Sequence, residues 1–384
     1  MSEKRKDSKG RILRRGEGQR KDGRYQFRYT IPGGQERCVY ALSLEELRAK
    51  EQLIQRDLMD GIDYSGGEVS VSDLVTRYMG TRRNFTNNTK RAYGSAVNHI
   101  RNSQLGQRKI RDVKQSEARA WFVSLHDEGL AQNTISVIHN VLRPAFEMAV
   151  DDDLLRKNPF KFTLSELIPD DAYQRTALNH AQRESLLQFL REQNSGYYND
   201  VLILLGTGLR VSELYGLTLS DVDLENRCIH VRKQLSRTAE HPYFVSPPKT
   251  KSGIRTIPMT QAVHDAFKSV IRERRNPKIE MSVDGYCGFL FLDKNGRPKV
   301  AMHLENHMRR IRKKYFNQTG QLMPAVTPHV LRHTFCTNAQ QAGMDVKTLQ
   351  YIMGHSNVSV TLDVYTHTDY TAVQRVFERV AASL

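Results

Sequence analysis

The sequence has only four cysteines, and they are far apart: Cys38, Cys228, Cys287 and Cys336. Because no two of them have the CxxC spacing, they predict neither a disulfide framework nor a cysteine zinc site, and we expect reduced thiols. No stretch approaches the ~18 consecutive apolar residues of a membrane-spanning helix. The N-terminus lacks the apolar core of a signal peptide. These absences predict a soluble intracellular protein.

Acidic residues are outnumbered: the 384 residues include 42 Asp and Glu against 58 Lys and Arg, which gives a net charge of +16. Since 39% of the residues are hydrophobic, the excess is not the signature of a disordered polycation. Lys and Arg side chains that meet phosphates release condensed counterions, so a nucleic acid suits this chain better than a membrane. The length predicts two or three domains.

Residues 1–66 predict a small basic domain in which a β-hairpin precedes a helix. Residues 24–30 and 36–42 alternate like strands around a Pro-Gly-Gly turn, and a helical pattern follows over residues 43–61. Basic and aromatic side chains are interleaved in the first strand, which is typical of a sheet that contacts DNA. The side chains expected to contact DNA are Arg24, Tyr25, Phe27 and Arg28. The alternative is a packed aromatic hairpin with a solvated basic tail.

Residues 68–165 follow a Gly-Gly linker and predict four or five helices around a modest core. The predicted helix starts are Ser72, Thr86 or Asn88, Ser116, and Asn133 or Thr134. Lys90 with Arg91, and Asn133 with Thr134, lie near two of these starts, where backbone N–H groups favour phosphates. These two pairs therefore predict DNA contacts, and helix caps or solvated charges are the alternative.

A third segment, residues 175–384, mixes helices with a compact β region. Residues 227–235, 242–249 and 254–259 predict three strands, and helices resume at Ala262.

One helix of this segment carries the first chemical motif. Thr327 fits its N-cap, Pro328 its first position and Gly343 its C-terminal stop. His329 and Arg332 are three residues apart, so they share a face near the helix start. An imidazole and a guanidinium beside a helix N-terminus predict a phosphate site. For an isolated motif, a packed histidine beside a surface arginine would be the simpler interpretation.

The motif is not isolated, because further polar residues occur in a fixed order around it. Arg210 follows TGL at a predicted helix start, and Lys251 lies in the turn between two predicted strands. His355 comes directly after a helix stop at Gly354, and Tyr365 ends the short helix that follows.

In this order and spacing, the residues resemble the motifs of the tyrosine recombinases, or phage integrases, over residues 68–384. The basic hairpin and phrases such as PKTKSG and HTFCTN resemble more narrowly the integrases of conjugative transposons. The resemblance implies a multidomain, mainly α fold. Its parts would be an arm-binding domain with a small β-sheet plus a helix, an all-α, SAM-like core-binding domain, and a mixed α+β catalytic domain. The expected bounds of these three domains are residues 1–66, 68–165 and 175–384.

The resemblance also implies a catalytic set: Arg210, Lys251, His329, Arg332, His355 and the nucleophile Tyr365. The two arginines suit the charge that develops on a phosphodiester, because their planar forks stay protonated. An unperturbed tyrosine has a pKa near 10, so only about 0.1% is phenolate at pH 7, and His329 is the expected proton acceptor. Lys251 is the candidate general acid, and His355 would hydrogen-bond the scissile phosphate. Tyr351 precedes the Gly354-His355 motif and Tyr370 lies past it, so each suits the role of nucleophile less well than Tyr365.

These residues predict cleavage that leaves a DNA 3′-phosphotyrosine, whose conserved bond energy permits rejoining without ATP. No Asp/Glu cluster suited to magnesium accompanies them, so we expect no cofactor and no metal. By resemblance, the partners are double-stranded DNA with core and arm sites, a homotetramer on DNA that is monomeric when free, and an accessory excision factor. No membrane partner is expected, and the location would be the nucleoid in the bacterial cytoplasm. An apolar stripe in residues 371–384 predicts docking on a neighbouring protomer or on its own core.

Three other functions remain open at this stage. A metal-dependent enzyme would use His329, His333 and His355 as ligands, although the helix lacks the Glu of an HExxH motif. A type IB topoisomerase would share the chemistry but lack synapsis of two duplexes. A DNA-binding regulator would have lost catalysis, yet every catalytic position is filled.

Overall fold

A computed structural model of the chain divides it into two compact units, Met1–Tyr173 and Gln174–Leu384. The residues that it describes are 5–31, 34, 36–59, 68–83, 85, 87–169, 176–238, 242–248, 250–274, 280–359 and 361–362. Tyr365, Tyr370, the Gly-Gly linker and residues 371–384 lie outside these ranges. Among the helices inside them, none has the length and apolar character that a membrane crossing requires.

The first unit begins with a three-stranded antiparallel sheet. Its strands β1 (Glu17–Gln19), β2 (Tyr25–Thr30) and β3 (Glu36–Ala41) pair in that order, and α1 (Leu44–Met59) follows. The predicted strands and helix are confirmed, and β1 adds an edge strand. The Ser43 hydroxyl caps α1 by accepting a hydrogen bond from Glu46 N at 3.1 Å. The core between sheet and helix consists of Tyr25, Phe27, Ala41, Leu44, Leu47 and Ile54.

The rest of this unit is helical, as predicted, around a separate hydrophobic core. Its helices are α2 (Val71–Thr81), α3 (Asn87–Asn102), α4 (Gln104–Gln107), α5 (Gln115–Asp127) and α6 (Gln132–Asp151). Three predicted starts were late by a few residues. Helix α5 follows its N-cap Lys114 rather than starting at Ser116. Ser70, not Ser72, caps α2 by accepting from Asp73 N, and α6 begins after Ala131 rather than at Asn133 or Thr134.

The second unit opens with helices that surround a large core and lead into two small sheets. The helices are α7 (His180–Glu192), α8 (Tyr198–Thr207) and α9 (Val211–Tyr215). The strands are β4 (Val222–Asp223), β5 (Cys228–Val231), β6 (Gln234–Ser236), β7 (Phe244–Ser246) and β8 (Arg255–Pro258). Strands β4, β5 and β8 form one antiparallel sheet in that order, and β6 pairs with β7 in the other. The predicted first strand is therefore divided between the two sheets.

Helices resume where expected and extend through the rest of the described chain. They are α10 (Gln261–Glu273), α11 (Ala301–Thr319), α12 (Pro328–Gln341) and α13 (Val346–Met353). Helix α8 packs between α10 and α12, and α13 packs against α12 and β8. This packing brings the C-terminal ends of α8 and α13 to the start of α12.

Candidate active site

Helix α12 begins as the sequence predicts. The Thr327 hydroxyl accepts a hydrogen bond from Val330 N at 3.3 Å, and Pro328 occupies the first turn. His329 is exposed in that turn, whereas Arg332 is 6% exposed. Val330 and Leu331 lie in the core, and the helical period places the guanidinium of Arg332 on the same buried side of α12.

Three arginine side chains converge on the C-terminal end of α13. Arg255 Nε donates to Ile352 O at 2.6 Å, Arg332 Nη2 donates to Met353 O, and Arg210 Nη2 donates to Gly354 O at 3.4 Å. These three successive carbonyls carry the negative end of the helix dipole. Arg332 Nη1 also donates to Gly208 O at 2.6 Å, at the end of α8. The guanidinium groups are thus held at fixed positions by backbone oxygens.

Two glycines make these helix ends possible. Gly208 has φ +65° and Gly354 has φ +62°, so both lie in the left-handed region that favours glycine. A Cβ on Gly354 would stand 3.0 Å from Arg255 Nη1, and one on Gly208 would stand 2.4 Å from the Phe335 ring. Both positions therefore need glycine for the conformation and for the space.

A buried carboxylate connects two of the arginines. Glu213 is 1% exposed; Arg210 Nη1 and Arg255 Nη2 lie 2.8 and 2.9 Å from its two oxygens. Burial alone would raise the pKa of Glu213. Hydrogen bonds and charge from Arg255, with the charges of Arg210 and Arg332, outweigh burial and hold that pKa below its usual value. An ionised Glu213 among three guanidinium groups leaves an excess of two positive charges.

Arg332 remains a cation in this setting. Burial, followed by repulsion from the Arg210 charge, lowers the pKa of Arg332 to about 9. That value is still above neutral pH, and the side chain donates to two carbonyl oxygens as a protonated guanidinium does. An anion placed beside it would relieve the repulsion between the arginines.

His355 follows α13 and is held in the neutral form. Burial is the main cause and the charges of Arg332, Arg210 and Arg255 add to it, so the pKa of His355 falls to about 4. Its Nδ1 lies 3.0 Å from the hydroxyl of buried Thr361. The second ring nitrogen, Nε2, is then the atom available for a ligand.

Lys251 lies in the predicted connection between two strands. It is exposed in a short 3-10 turn, Lys251–Gly253, between β7 and β8. The two strands belong to different sheets, so the connection links the sheets and is not a hairpin within one of them. Arg255 fastens the end of this turn, because its Nη1 donates to Gly253 O at 2.9 Å as well as to Glu213 Oε1 at 3.1 Å.

Sequence reasoning missed Glu213 and Arg255. A weak signal for each was present. Glu213 is the third residue of α9, whose N-cap is Arg210, and at that position a carboxylate accepts the Arg210 N–H at 2.9 Å. Arg255 shares the inward-facing register of β8 with Ile257, which is unusual for an arginine unless it has a buried partner.

Of the four residues in and beside β2 that were expected to contact DNA, two are exposed and two are buried. Arg24 and Arg28 are exposed, but Tyr25 is 3% and Phe27 is 5% exposed. Strand alternation points the two rings toward α1, and the Tyr25 hydroxyl donates to buried Asp7 at 3.0 Å. The expectation that these rings face DNA is corrected: they pack the core, and the arginines alone face outward.

The other expected DNA contacts are on the surface of the first unit. Lys90 and Arg91 are exposed in the first turns of α3, and Asn133 and Thr134 are exposed in the first turn of α6. Of the tyrosines near His355, Tyr351 is described: its hydroxyl accepts a hydrogen bond from Thr256 N at 3.2 Å.

Two family models match this chain. Residues 176–372 match the phage integrase family, and residues 1–58 match the DNA binding domain of Tn916 integrase. The transposases from Tn916 of Enterococcus faecalis and from Tn1545 of Streptococcus pneumoniae are each 40% identical over 394 residues. Both alignments cover 99% of this chain and 97% of the relative.

Solved structures give the same result. The Tn1549 transposon integrase, in complex with circular intermediate DNA, is 40% identical with a TM-score of 0.75, over 81% of this chain and 100% of that one. A lambda integrase dimer bound to a core site shares the fold, with a TM-score of 0.56 at 16% identity over 92% of this chain and 95% of that one. This chain belongs to the phage integrase family and is a tyrosine recombinase, an enzyme of DNA strand exchange.

Proposed function

We propose that this recombinase integrates and excises a conjugative transposon, and that it cuts and rejoins DNA through a 3′-phosphotyrosine at Tyr365. The observation that carries the proposal is the group of three arginines around Glu213, which has two positive charges in excess. A phosphodiester gains negative charge on its non-bridging oxygens during cleavage, and preorganised guanidinium groups stabilise that charge. The similarity to the transposases of Tn916 and Tn1545 supports a transposon as the substrate.

The arginines bind the scissile phosphate. A guanidinium has five N–H donors, and the backbone contacts of Arg332 use two of them. Arg210 is 36% exposed at its side chain, so it can reach a phosphate and keep its bond to Glu213. His355, neutral at pH 7, adds a hydrogen bond from Nε2 rather than a charge.

The chemical step exchanges one P–O bond for another. The Tyr365 oxygen attacks phosphorus and its proton passes to His329, which is exposed at the start of α12. The bond from phosphorus to the 5′ oxygen breaks, and Lys251 protonates that oxygen from its exposed turn. The 5′ hydroxyl of a second duplex then attacks the phosphotyrosine, the proton transfers reverse, and Tyr365 is released.

The assembly follows from the stoichiometry of this chemistry. Exchange between two duplexes requires four strand cleavages, and each protomer supplies one Tyr365, so four protomers act together on DNA. Residues 1–66 bind arm sites, residues 68–165 hold the core site and residues 175–384 cut it. Arg24, Arg28, Lys90, Arg91, Asn133 and Thr134 contribute to DNA binding. An accessory factor directs excision, and the enzyme works on DNA of the cytoplasmic nucleoid.

A covalent trap tests this function. The protein is incubated in EDTA with a core-site duplex that carries a nick beside the cleavage position, so that the released fragment diffuses away. We expect an adduct that migrates as protein linked to DNA, and we expect Tyr365→Phe to form none. Loss of the adduct in EDTA, or an adduct with Tyr365→Phe, contradicts the proposal.

A second assay separates a recombinase from a topoisomerase. Two labelled duplexes that carry transposon ends are mixed with the enzyme, and joined products are resolved by size. A recombinase joins ends from the two duplexes, whereas a topoisomerase reseals each duplex to itself. Resealing without joining would leave the covalent chemistry intact and exclude the transposon function.

A further inference from the structure

The outer face of the sheet β4-β5-β8 carries three side chains whose chemistry the recombination reaction does not use. They are Asp223, Cys228 and His230. Val222, Ile229 and Val231 alternate with them and point into the core, so strand geometry places all three on the opposite face. Asp223 and Cys228 are directly paired across β4 and β5, and His230 is two residues further along β5.

The spacing of these groups fits a small tetrahedral cation. Their potential ligand atoms all lie within 4.8 Å of one another, and Cys228 Sγ is 3.8 Å from His230 Nε2. Bond lengths of about 2.3 Å for zinc to sulfur and about 2.0 Å for zinc to nitrogen place the two ligand atoms about 3.5 Å apart in a tetrahedron. The observed separation is therefore within a few tenths of an ångström of that of a zinc site.

A second observation concerns the partners of the three side chains. His230 Nδ1 lies 3.1 Å from the Thr256 hydroxyl on β8, which leaves Nε2 directed toward Cys228. Asp223 accepts hydrogen bonds from Asn226 N at 2.8 Å and from Asn226 Nδ2 at 2.7 Å, which fixes its carboxylate. Ligating histidines and carboxylates are oriented in this way by outer hydrogen bonds.

We propose that Asp223, Cys228 and His230 bind one zinc-class divalent cation, with solvent at the fourth position. The set of thiolate, imidazole and carboxylate selects zinc or cobalt over magnesium and calcium. The ion fastens β4 and β5 to each other and lies beside Thr256, next to the arginine that holds the Lys251 turn. It has no part in the cleavage chemistry proposed above, which we expect to proceed in EDTA.

Cobalt binding tests the site in the full, reduced chain. One equivalent of Co²⁺ is expected to produce the near-ultraviolet absorption of a thiolate–cobalt bond, and Zn²⁺ is expected to remove it. Cys228→Ser should abolish this absorption, and His230→Gln should weaken cobalt binding at least tenfold. Cys287→Ser is the matched control, because Cys287 is an exposed thiol outside the group and should leave the absorption unchanged.

A measurement on the unchanged protein covers the case in which a variant misfolds. Zn²⁺ is expected to slow alkylation of Cys228 by iodoacetamide at least tenfold and to leave alkylation of Cys287 unaffected, as read by peptide mapping. Equal rates at Cys228 with and without Zn²⁺, no thiolate–cobalt absorption, or the same absorption in Cys228→Ser overturns the proposal.

Discussion

Arg332 illustrates how single residues determine the site. Its guanidinium bridges the carbonyl oxygens of Gly208 and Met353, at the ends of two helices, and still has N–H groups for a substrate. A lysine ammonium is a point charge on a flexible stem and cannot reproduce a planar fork with two fixed acceptors. The proposed role in phosphate binding therefore depends on the charge of Arg332 and on the geometry of its guanidinium.

We expect Arg332→Lys to lower the rate of covalent adduct formation by about 100-fold to 1,000-fold, the usual loss when one preorganised donor is removed from a transition state. The measurement is single-turnover cleavage of a nicked core site. Arg274→Lys is the matched control: Arg274 is also buried and donates to Phe289 O at 2.9 Å, but it lies outside the site. A rate for Arg332→Lys within tenfold of the unmodified enzyme would contradict the assigned role.

His355 gives a prediction of pH dependence. Its pKa of about 4 lies below the usual 6.5, so the unfolded chain binds a proton more readily between these values. This contribution to stability is present above pH 6.5 and is lost as the pH falls toward 4. Histidine NMR, assigned with His355→Gln, should show titration near 4 in the free protein and a higher midpoint with DNA, because a phosphate offsets the arginine charges. A midpoint near 6.5 without DNA would contradict this account.

The sequence indicated which residues form the candidate site, but it did not indicate which buried side chains surround them. Arg210, Lys251 and Arg332 could be named because their local contexts carry motifs. Motifs do not show burial, so the pairing of Glu213 with Arg255, 42 positions apart, could not be predicted. For the same reason Tyr25 and Phe27 were expected on the surface although they pack against α1.

At the scale of elements, the end of α13 organises the site, since three arginines bond its last carbonyl oxygens. Helix boundaries were predicted within a few residues because caps are local signals. The sequence did not predict which strands pair with β7 and β8. Strands of three and four residues carry little register information, so tertiary packing selects their sheets.

Gly354→Ala tests this organisation. The change should cost about 1–2 kcal/mol for a left-handed alanine, and it should also displace Arg255, whose Nη1 would lie 3.0 Å from the new Cβ. Gly320→Ala is the control, because Gly320 also ends a helix with φ +69° but has no atom within 4 Å of the added carbon. Denaturant unfolding should show a lower free energy of unfolding in both variants, with an equal or larger loss in Gly354→Ala. The rate of cleavage should fall only in Gly354→Ala. Equal cleavage by the two variants would contradict the prediction.

At the scale of the molecule, the net charge of +16 includes exposed Arg24 and Arg28 at β2, exposed Lys90 and Arg91 near the start of α3, and the arginines around Glu213. Within the first unit, ion pairs of Arg37 with Glu68 and of Arg156 with Asp57 join the sheet domain to the helices. These pairs are partly exposed, and such pairs contribute about 0–1 kcal/mol each. Glu68 also keeps Lys109 and Arg111 as partners when Arg37 is removed.

Deletion of residues 1–60 should therefore leave a folded protein that cleaves a nicked core site at an unchanged rate. Binding to distal arm sites, measured by gel shift, should be lost. Circular dichroism of the truncated chain is the control for folding. Loss of both arm binding and core cleavage in a folded truncation would refute the modular division.

Localisation of the covalent bond tests the central claim most directly. DNA-linked protein is digested with nuclease and trypsin, and the linked peptide is fragmented in a mass spectrometer. Tyr351, Tyr365 and Tyr370 all fall in the tryptic peptide of residues 348–375, so fragment ions must separate them. We predict that the nucleotide is attached to Tyr365. Attachment to Tyr351 or Tyr370 would contradict the account.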